Sequence, residues 1–294
     1  MVQITPDWSD TLVDRIVAQD FVLFVGVGVS HPSINSHGQQ PPLWKELIEA
    51  LAAKFLTTSP ADKTLVEQAI RKGDLLSAAE VVERYCNSNG RRDDFRKEIC
   101  RLTDGGASPA DVYLPNELHN LIGELAPRII FTTNFDKILE RHFMSGFATL
   151  RFEASDIAAQ IRQGTDVLVK LHGDKDDPNQ LILTRLDFTR LRRDGAHALE
   201  TLEALLLTRT ALFVGYSLDD PDLRLVLENR FGAKGGRPGH YLIGSNRTSE
   251  DQKLLFREAY GVTIAEYSGE PGPGVKRSLT ALVEKVSAKR ALSV

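Results

Sequence analysis

The chain has two cysteines in 294 residues, Cys86 and Cys100, and no CxxC pair. That scarcity excludes a disulfide framework and a cysteine-rich zinc site, so two buried free thiols are expected. No apolar run approaches the ~20 residues that span a bilayer. The opening residues, MVQITPDWSD, show no basic and apolar leader, so no membrane association and a cytoplasmic location are expected. Excess positive charge is also missing. The net charge is -4 and the Lys and Arg residues are scattered, which argues against direct nucleic-acid binding. Low-complexity tracts are absent, and 42% hydrophobic with 26% charged residues is a globular composition. The length fits one main domain over residues 1–294.

What is present is a series of short apolar runs, each ending in a polar or glycine-containing turn. Residues 128–140, RIIFTTNFDKILE, hold Ile129, Ile130 and Phe131, then Thr132, Thr133, Asn134, Phe135 and Asp136, then a helical pattern from Ile138. In an open α/β sheet, side chains at the carboxyl end of a strand face the ligand crevice, which places Thr132, Asn134 and Asp136 to meet a substrate. Capping of the next helix is an alternative use of Asn134. Residues 21–25, FVLFV, read as a central strand covered on both faces, and Gly26, Val27, Gly28, Val29 and Ser30 follow. Two glycines one residue apart allow a tight turn and close approach to a ligand, with N–H groups for phosphate oxygens. The alternative is a turn that only closes the strand. His31 stands where a dinucleotide fingerprint has its third glycine, so an ordinary Rossmann dehydrogenase is disfavoured.

A third turn, His172, Gly173 and Asp174, follows the strand 166–171, DVLVKL, and His172 alone of the seven histidines comes directly after an apolar strand. Structural and catalytic roles are both open to it at this stage. A fourth turn, GYSLDDPD, follows 211–214. Gly215 permits close approach, Ser217 or Asp219 is suited to cap a helix with Pro221 in its first turn, and capping also accounts for Asp222.

Further strands are expected at 148–152, 180–184, 240–243 and 262–265. Helices are expected at 6–18, 44–56, 62–72, 75–87, 91–102, 116–126, 155–163 (capped by Ser155), 186–192, 196–208, 249–260 and 275–288, the last preceded by the loop GEPGPG. Residues 31–43 form a polar loop of the kind that serves as a lid or binding loop. Trp44 is placed to pack or to stack on a ligand. The alternation predicts a doubly wound, mostly parallel, Rossmann-like sheet, with residues 57–115 as a helical insertion.

GVGVS, TTNFD, LHGD and GYSLDDPD, in that order and each after a strand, resemble the sirtuin family, and more closely its bacterial sirtuin-like branch found in antiphage defence. The resemblance spans about 21–222 and implies an NAD+ site. Gly26, Gly28, Val29 and Ser30 would lie around the pyrophosphate and ribose, Asn134 and Asp136 beside the nicotinamide ribose, and Gly215 and Ser217 on the adenosine side. His172 matches the family's catalytic base. Sirtuin deacylases carry a four-cysteine zinc ribbon that this chain cannot build, and their PDFR-like segment is replaced by PPLWKEL. Protein deacylation therefore ranks third and no metal is expected. The resemblance implies first an NAD+ hydrolase releasing nicotinamide and ADP-ribose as an antiviral effector, and second a non-catalytic NAD or ADP-ribose sensor. An NADase needs restraint, so a homo-oligomer is expected. A partner such as a HerA-type ATPase or an Argonaute-like protein is also expected.

Overall fold

A run such as FVLFV has apolar side chains at every position, so it is stable only where both faces of a sheet are covered. The computed structural model, which describes residues 3–217, 220–231 and 239–292, places it in that setting. The chain runs through α1 (Asp10–Val17), β1 (Phe21–Val25), the single turn α2 (Val27–Ser30), α3 (Trp44–Phe55), α4 (Pro60–Arg71), α5 (Leu75–Ser88) and α6 (Arg92–Asp104). It continues through α7 (Glu117–Glu124), β2 (Ile129–Thr132), α8 (Ile138–Phe143), β3 (Ala148–Arg151), α9 (Ile157–Arg162) and β4 (Val167–Lys170). The remainder comprises α10 (Arg185–Asp194), α11 (Ala196–Thr208), β5 (Thr210–Val214), α12 (Pro221–Phe231), β6 (His240–Ser245), α13 (Glu250–Tyr260), β7 (Val262–Tyr267) and α14 (Pro271–Ala291).

Among the described residues the strands form one seven-stranded sheet in the order β3-β4-β2-β1-β5-β6-β7, and every pairing is parallel. The fold is a Rossmann-like, sirtuin-like α/β fold. Alternation along each strand divides the apolar residues between two cores. Val22, Phe24, Phe131, Val169 and Phe213 face α9 to α13. Phe21, Leu23, Val25, Ile130 and Val214 face α1, α7 and α14. Phe24 stacks on Phe213 at 4.7 Å and on Phe131 at 5.5 Å between ring centroids. Each such buried ring stabilises the sheet by about 1.5–3 kcal/mol.

A third core belongs to the helices on one side of the sheet. Leu47, Ile48, Leu51 and Phe55 of α3 share it with Val66, Ala78, Val82, Phe95 and Ile99 of α4 to α6. Phe135, Leu181 and Leu183 enter the same core from the connections after β2 and β4. The helical block is thus packed directly against the turns at the sheet's carboxyl edge. Trp44 is partly buried against this core.

Two expectations fail for local reasons. Residues 180–184 are not a strand: a 3-10 turn covers Pro178–Gln180, and Leu181, Ile182 and Leu183 are buried without joining the sheet. The Leu181 carbonyl accepts from Arg96 Nη1 and Arg190 Nη2, so it has no place in a ladder. The GEPGPG stretch is not wholly a loop, because α14 begins at Pro271. Proline in a first helical turn gives up an N–H that has no intrahelical partner, and a Cβ at Gly274 would lie 2.0 Å from the Tyr267 ring. Smaller differences concern caps. Ser9 caps α1, which starts later than expected, and Asp156 rather than Ser155 precedes α9. Asp219 lies outside the described residues, and Asp220 Oδ1 accepts the N–H groups of Asp222 and Leu223 at the start of α12. Among the described residues no helix is long and apolar enough to cross a membrane.

Candidate active site

Because all seven strands run the same way, the four turns identified in the sequence meet at one edge of the sheet. The chain builds outward from β1 in both directions, so that edge carries a topological switch point at β1 and β5, where such folds bind ligands.

At that point the glycines are required by backbone contact. Gly28 N–H donates to Gly215 O at 2.9 Å and Gly26 N–H to Val214 O at 3.0 Å. A Cβ at Gly26 would lie 2.3 Å from Gly215 O, and one at Gly215, which has φ +63°, 2.5 Å from Val29 N. The turns after β1 and β5 are locked together, with the Gly26, Gly28 and Val29 N–H groups bonded inside the protein. Asn116, which caps α7, holds the same turn by donating from Nδ2 to Val29 O at 2.8 Å and Ser33 Oγ at 2.9 Å. Ser217 is exposed.

Ser30, Asn134 and Asp136 are brought into one network. Asn134 does not cap α8; its Nδ2 donates to Ser30 Oγ at 3.0 Å, and Ser30 stands near enough to the Asp136 carboxylate to favour its charged form. Thr132 turns back into the sheet, donating to Val25 O at 2.7 Å and accepting the Asn134 N–H. It shapes the turn that presents Asn134. Asp136 Oδ1 accepts the Ile138 N–H at 3.0 Å. Beneath the turn, the fully buried Lys170 donates to Asp136 O and to Glu140 Oε1.

Burial pushes the Asp136 carboxyl up to about 6, against the lowering effects of Lys170, the Ile138 N–H and Ser30; Glu140 adds to the rise. A folded-state value above the ordinary 3.8 means that between about pH 4 and 6 the native state binds a proton the unfolded chain has released. That contribution to stability is complete below about pH 4 and is lost as pH rises through about 6. Asp136→Asn, which mimics the protonated group, is therefore expected to gain stability relative to the parent on moving from about pH 4.5 to about pH 7.5. The gain should be on the order of 2 kcal/mol. Urea unfolding at the two pH values measures it, and an unchanged difference would refute the assignment.

His172 follows β4, the neighbour of β2. Its ring stands edge-on to Phe188 at 5.3 Å, and its Nε2 lies 2.7 Å from Asp220 Oδ2. Burial alone would raise the Asp220 carboxyl, but His172 and the Asp222 and Leu223 N–H groups outweigh it and hold it below the usual range.

Asp104, at the end of α6, joins the turns after β2 and β4. It is fully buried and accepts from Lys137 N at 2.7 Å, from Arg141 Nη2 and from Lys175 Nζ at 2.9 Å. Its carboxyl lies below the ordinary range, since Arg141, Lys137 and Lys175 outweigh the rise that burial causes.

Sequence reasoning missed Asp220, Asp104 and Lys170. Lys170 had a signal, a lysine inside the otherwise apolar run DVLVKL, and Asp220 had one in the Asp-Pro step before a helix. Asp104 had none. Cys86 and Cys100 are both free, and burial raises their thiols to about 11 and about 12. Among the described residues no group of three or more His, Cys, Asp or Glu side chains is arranged to hold a metal ion.

Residues 128–265 match the family model of the SIR2-like domain, a stretch that contains Asn134, Asp136, His172, Gly215 and Asp220. Among curated proteins the chain is similar to three called NAD(+) hydrolase ThsA. That of Acinetobacter baumannii (strain 532279) is 26% identical over 79% of this chain and 44% of its own length. That of Enterococcus faecium is 27% identical over 75% and 42%, and that of Bacillus cereus (strain MSX-D12) 25% identical over 78% and 44%. The chain spans under half the length of these relatives.

Proposed function

We propose, from the premise that this chain carries a SIR2-like domain, that it is an NAD+ hydrolase. It cleaves the bond between nicotinamide and ribose and releases nicotinamide, ADP-ribose and a proton. The observation that carries this reading is the pair of polar turns on neighbouring strands, with Asn134 after β2 and His172 after β4 at the edge where the glycine turns of β1 and β5 meet. The names of the relatives support it.

Cleavage of an N-glycosidic bond builds positive charge on the ribose and needs a nucleophile on the opposite face. Asn134 gives Nδ2 to Ser30, which fixes the amide and leaves its carbonyl oxygen as the acceptor that holds a water in line. His172 takes the proton of that water, a role worth about 10²- to 10⁴-fold in rate. Asp136 stabilises the cationic ribose when it is ionised. Gly26, Gly28, Val29 and Ser30 line the diphosphate and ribose side, with Gly215 and Ser217 toward the adenosine. Deacylation is disfavoured because a four-cysteine zinc ribbon cannot be made from two cysteines.

We extend the reading to an antiviral effector that depletes NAD+ in the cytoplasm as a homo-oligomer. Its activity is governed by a partner, for which a HerA-type ATPase and an Argonaute-like protein are the candidates. The test is to incubate the purified chain with NAD+, quantify nicotinamide and ADP-ribose by chromatography, and follow binding by calorimetry. Equimolar release of the two products is expected. NAD+ bound but left intact, with and without these partners, would favour the sensor reading, and failure to bind NAD+ would refute both.

A further inference from the structure

Asp220 lies after β5, and His172 after β4, with β1 and β2 between those strands. Three interstrand spacings of ~4.8 Å put the two strand ends about 14 Å apart, yet Asp220 brings Oδ2, a buried oxygen with no other hydrogen-bond partner, within 2.7 Å of His172 Nε2. Its Oδ1 is committed to the Asp222 and Leu223 N–H groups at 2.9 and 2.8 Å, so only Oδ2 faces the ring. The start of α12 is itself fastened to α10, where Arg192 Nε meets Asp222 Oδ1 at 2.6 Å. That same helix supplies Phe188 against the ring.

We propose that Asp220 is a positioning residue that holds His172 with its proton on Nε2 and so makes Nδ1 the proton acceptor. An ionised carboxylate only accepts hydrogen bonds, so the nitrogen beside it must carry the hydrogen, and in a neutral imidazole the other nitrogen is then the free acceptor. Phe188 fixes the plane of the ring and Asp220 fixes its tautomer. The inference deepens the proposed function and rests on His172 being the base.

The arrangement at α12 makes Asp220→Asn an informative variant. The amide oxygen stays on the Asp222 and Leu223 N–H groups, so the NH₂ faces Nε2, which must then accept, and the proton moves to Nδ1. Where this swap inverts a histidine tautomer in a hydrolase, turnover falls by about 10⁴-fold. Asp220→Ser keeps a capping oxygen for α12 while removing the contact with the ring.

The experiment is nitrogen NMR of the full chain labelled with ¹⁵N-histidine, with the His172 signals identified by their loss in His172→Gln. In the parent, Nε2 should show the shift of a protonated nitrogen and Nδ1 that of an unprotonated one. The pattern should invert in Asp220→Asn and become mixed in Asp220→Ser. NAD+ cleavage should fall about 10²- to 10⁴-fold in Asp220→Asn, chiefly in kcat with KM nearly unchanged. A parent ring protonated on Nδ1, or a tautomer indifferent to both variants, overturns the proposal. The spectra need no turnover: the expected spectra in a chain that never cleaves NAD+ would uphold the Asp220 contact and count against the proposed function alone.

Discussion

His172→Gln is expected to slow nicotinamide release by about 10²- to 10⁴-fold, the range for loss of a positioned general base, while NAD+ remains bound and the thermal transition stays close to the parent's. Glutamine is the better choice because of what surrounds the ring. The side chain is 11% exposed, and that of Asp220 is 8% exposed. Alanine would leave a buried carboxylate without the imidazole, and breaking such a pair destabilises strongly. The glutamine amide places an N–H close to the position of Nε2 and keeps a donor for Asp220, but it has no basic nitrogen. Asn134→Ala should reduce turnover by at least ~100-fold, since the water loses its orientation. Its stability cost should be near the ~1 kcal/mol of one hydrogen bond, because the bond to Ser30 Oγ is what the side chain contributes. Rates come from single-turnover assays, binding from calorimetry, and fold from melting curves. A His172→Gln enzyme within about tenfold of the parent, short of the range for a general base, would remove His172 from that role.

The sheet was legible in the sequence because parallel strands buried on both faces leave uninterrupted apolar runs, and FVLFV and DVLVKL fit no other element as well. The turns were legible because polar residues placed directly after such runs must emerge at the carboxyl edge. The same rule misled at 180–184, where LILT is as apolar as a strand but lies between two cores with a carbonyl claimed by guanidinium groups. At 269–274 the glycines and prolines signalled a loop, yet prolines also suit a first helical turn. Within the proposed site, the residues that the sequence singled out are those whose placement is set by their own strand end: Asn134, Asp136, His172 and the glycines. Asp220 and Asp104 are not among them, since each has an ordinary local reading, one as a helix cap and the other as the last residue before a glycine turn. Their roles depend on partners 48 and 33 residues away, which only the topology brings within reach.

Arg96→Ala is expected to cost about 3–5 kcal/mol, the range for leaving buried charges without their partner, out of the ~5–15 kcal/mol that stabilises an ordinary domain. The guanidinium is 1% exposed. It donates from Nε to Glu83 Oε1 at 3.0 Å, from Nη2 to Asp187 Oδ2 at 2.7 Å, and from Nη1 to Leu181 O at 2.7 Å. One side chain of α6 thereby joins α5, α10 and the connection that begins at His172. Burial opposes its charge, but Asp187 and Glu83 more than compensate and its pKa is raised. Truncation would leave two buried carboxylates with only the outer guanidinium groups of Arg92 and Arg190, at 3.7 and 3.3 Å, and a cavity where the side chain stood. Lysine should rescue little, because a single ammonium cannot reproduce the planar fork that meets these acceptors together. Methionine with Glu83→Gln and Asp187→Asn should recover part of the loss, since no buried charge is then left unpaired and the asparagine oxygen still accepts the Leu183 and Thr184 N–H groups. Urea unfolding gives the three values, and a loss below about 1 kcal/mol for Arg96→Ala, the size of an exposed ion pair, would show that the network does not hold the helical block to the sheet. The site should respond as well. Asp187 Oδ2 also accepts the Leu183 and Thr184 N–H groups, so losing Arg96 loosens the connection between His172 and α10 and should lower turnover even where the folded fraction is corrected for.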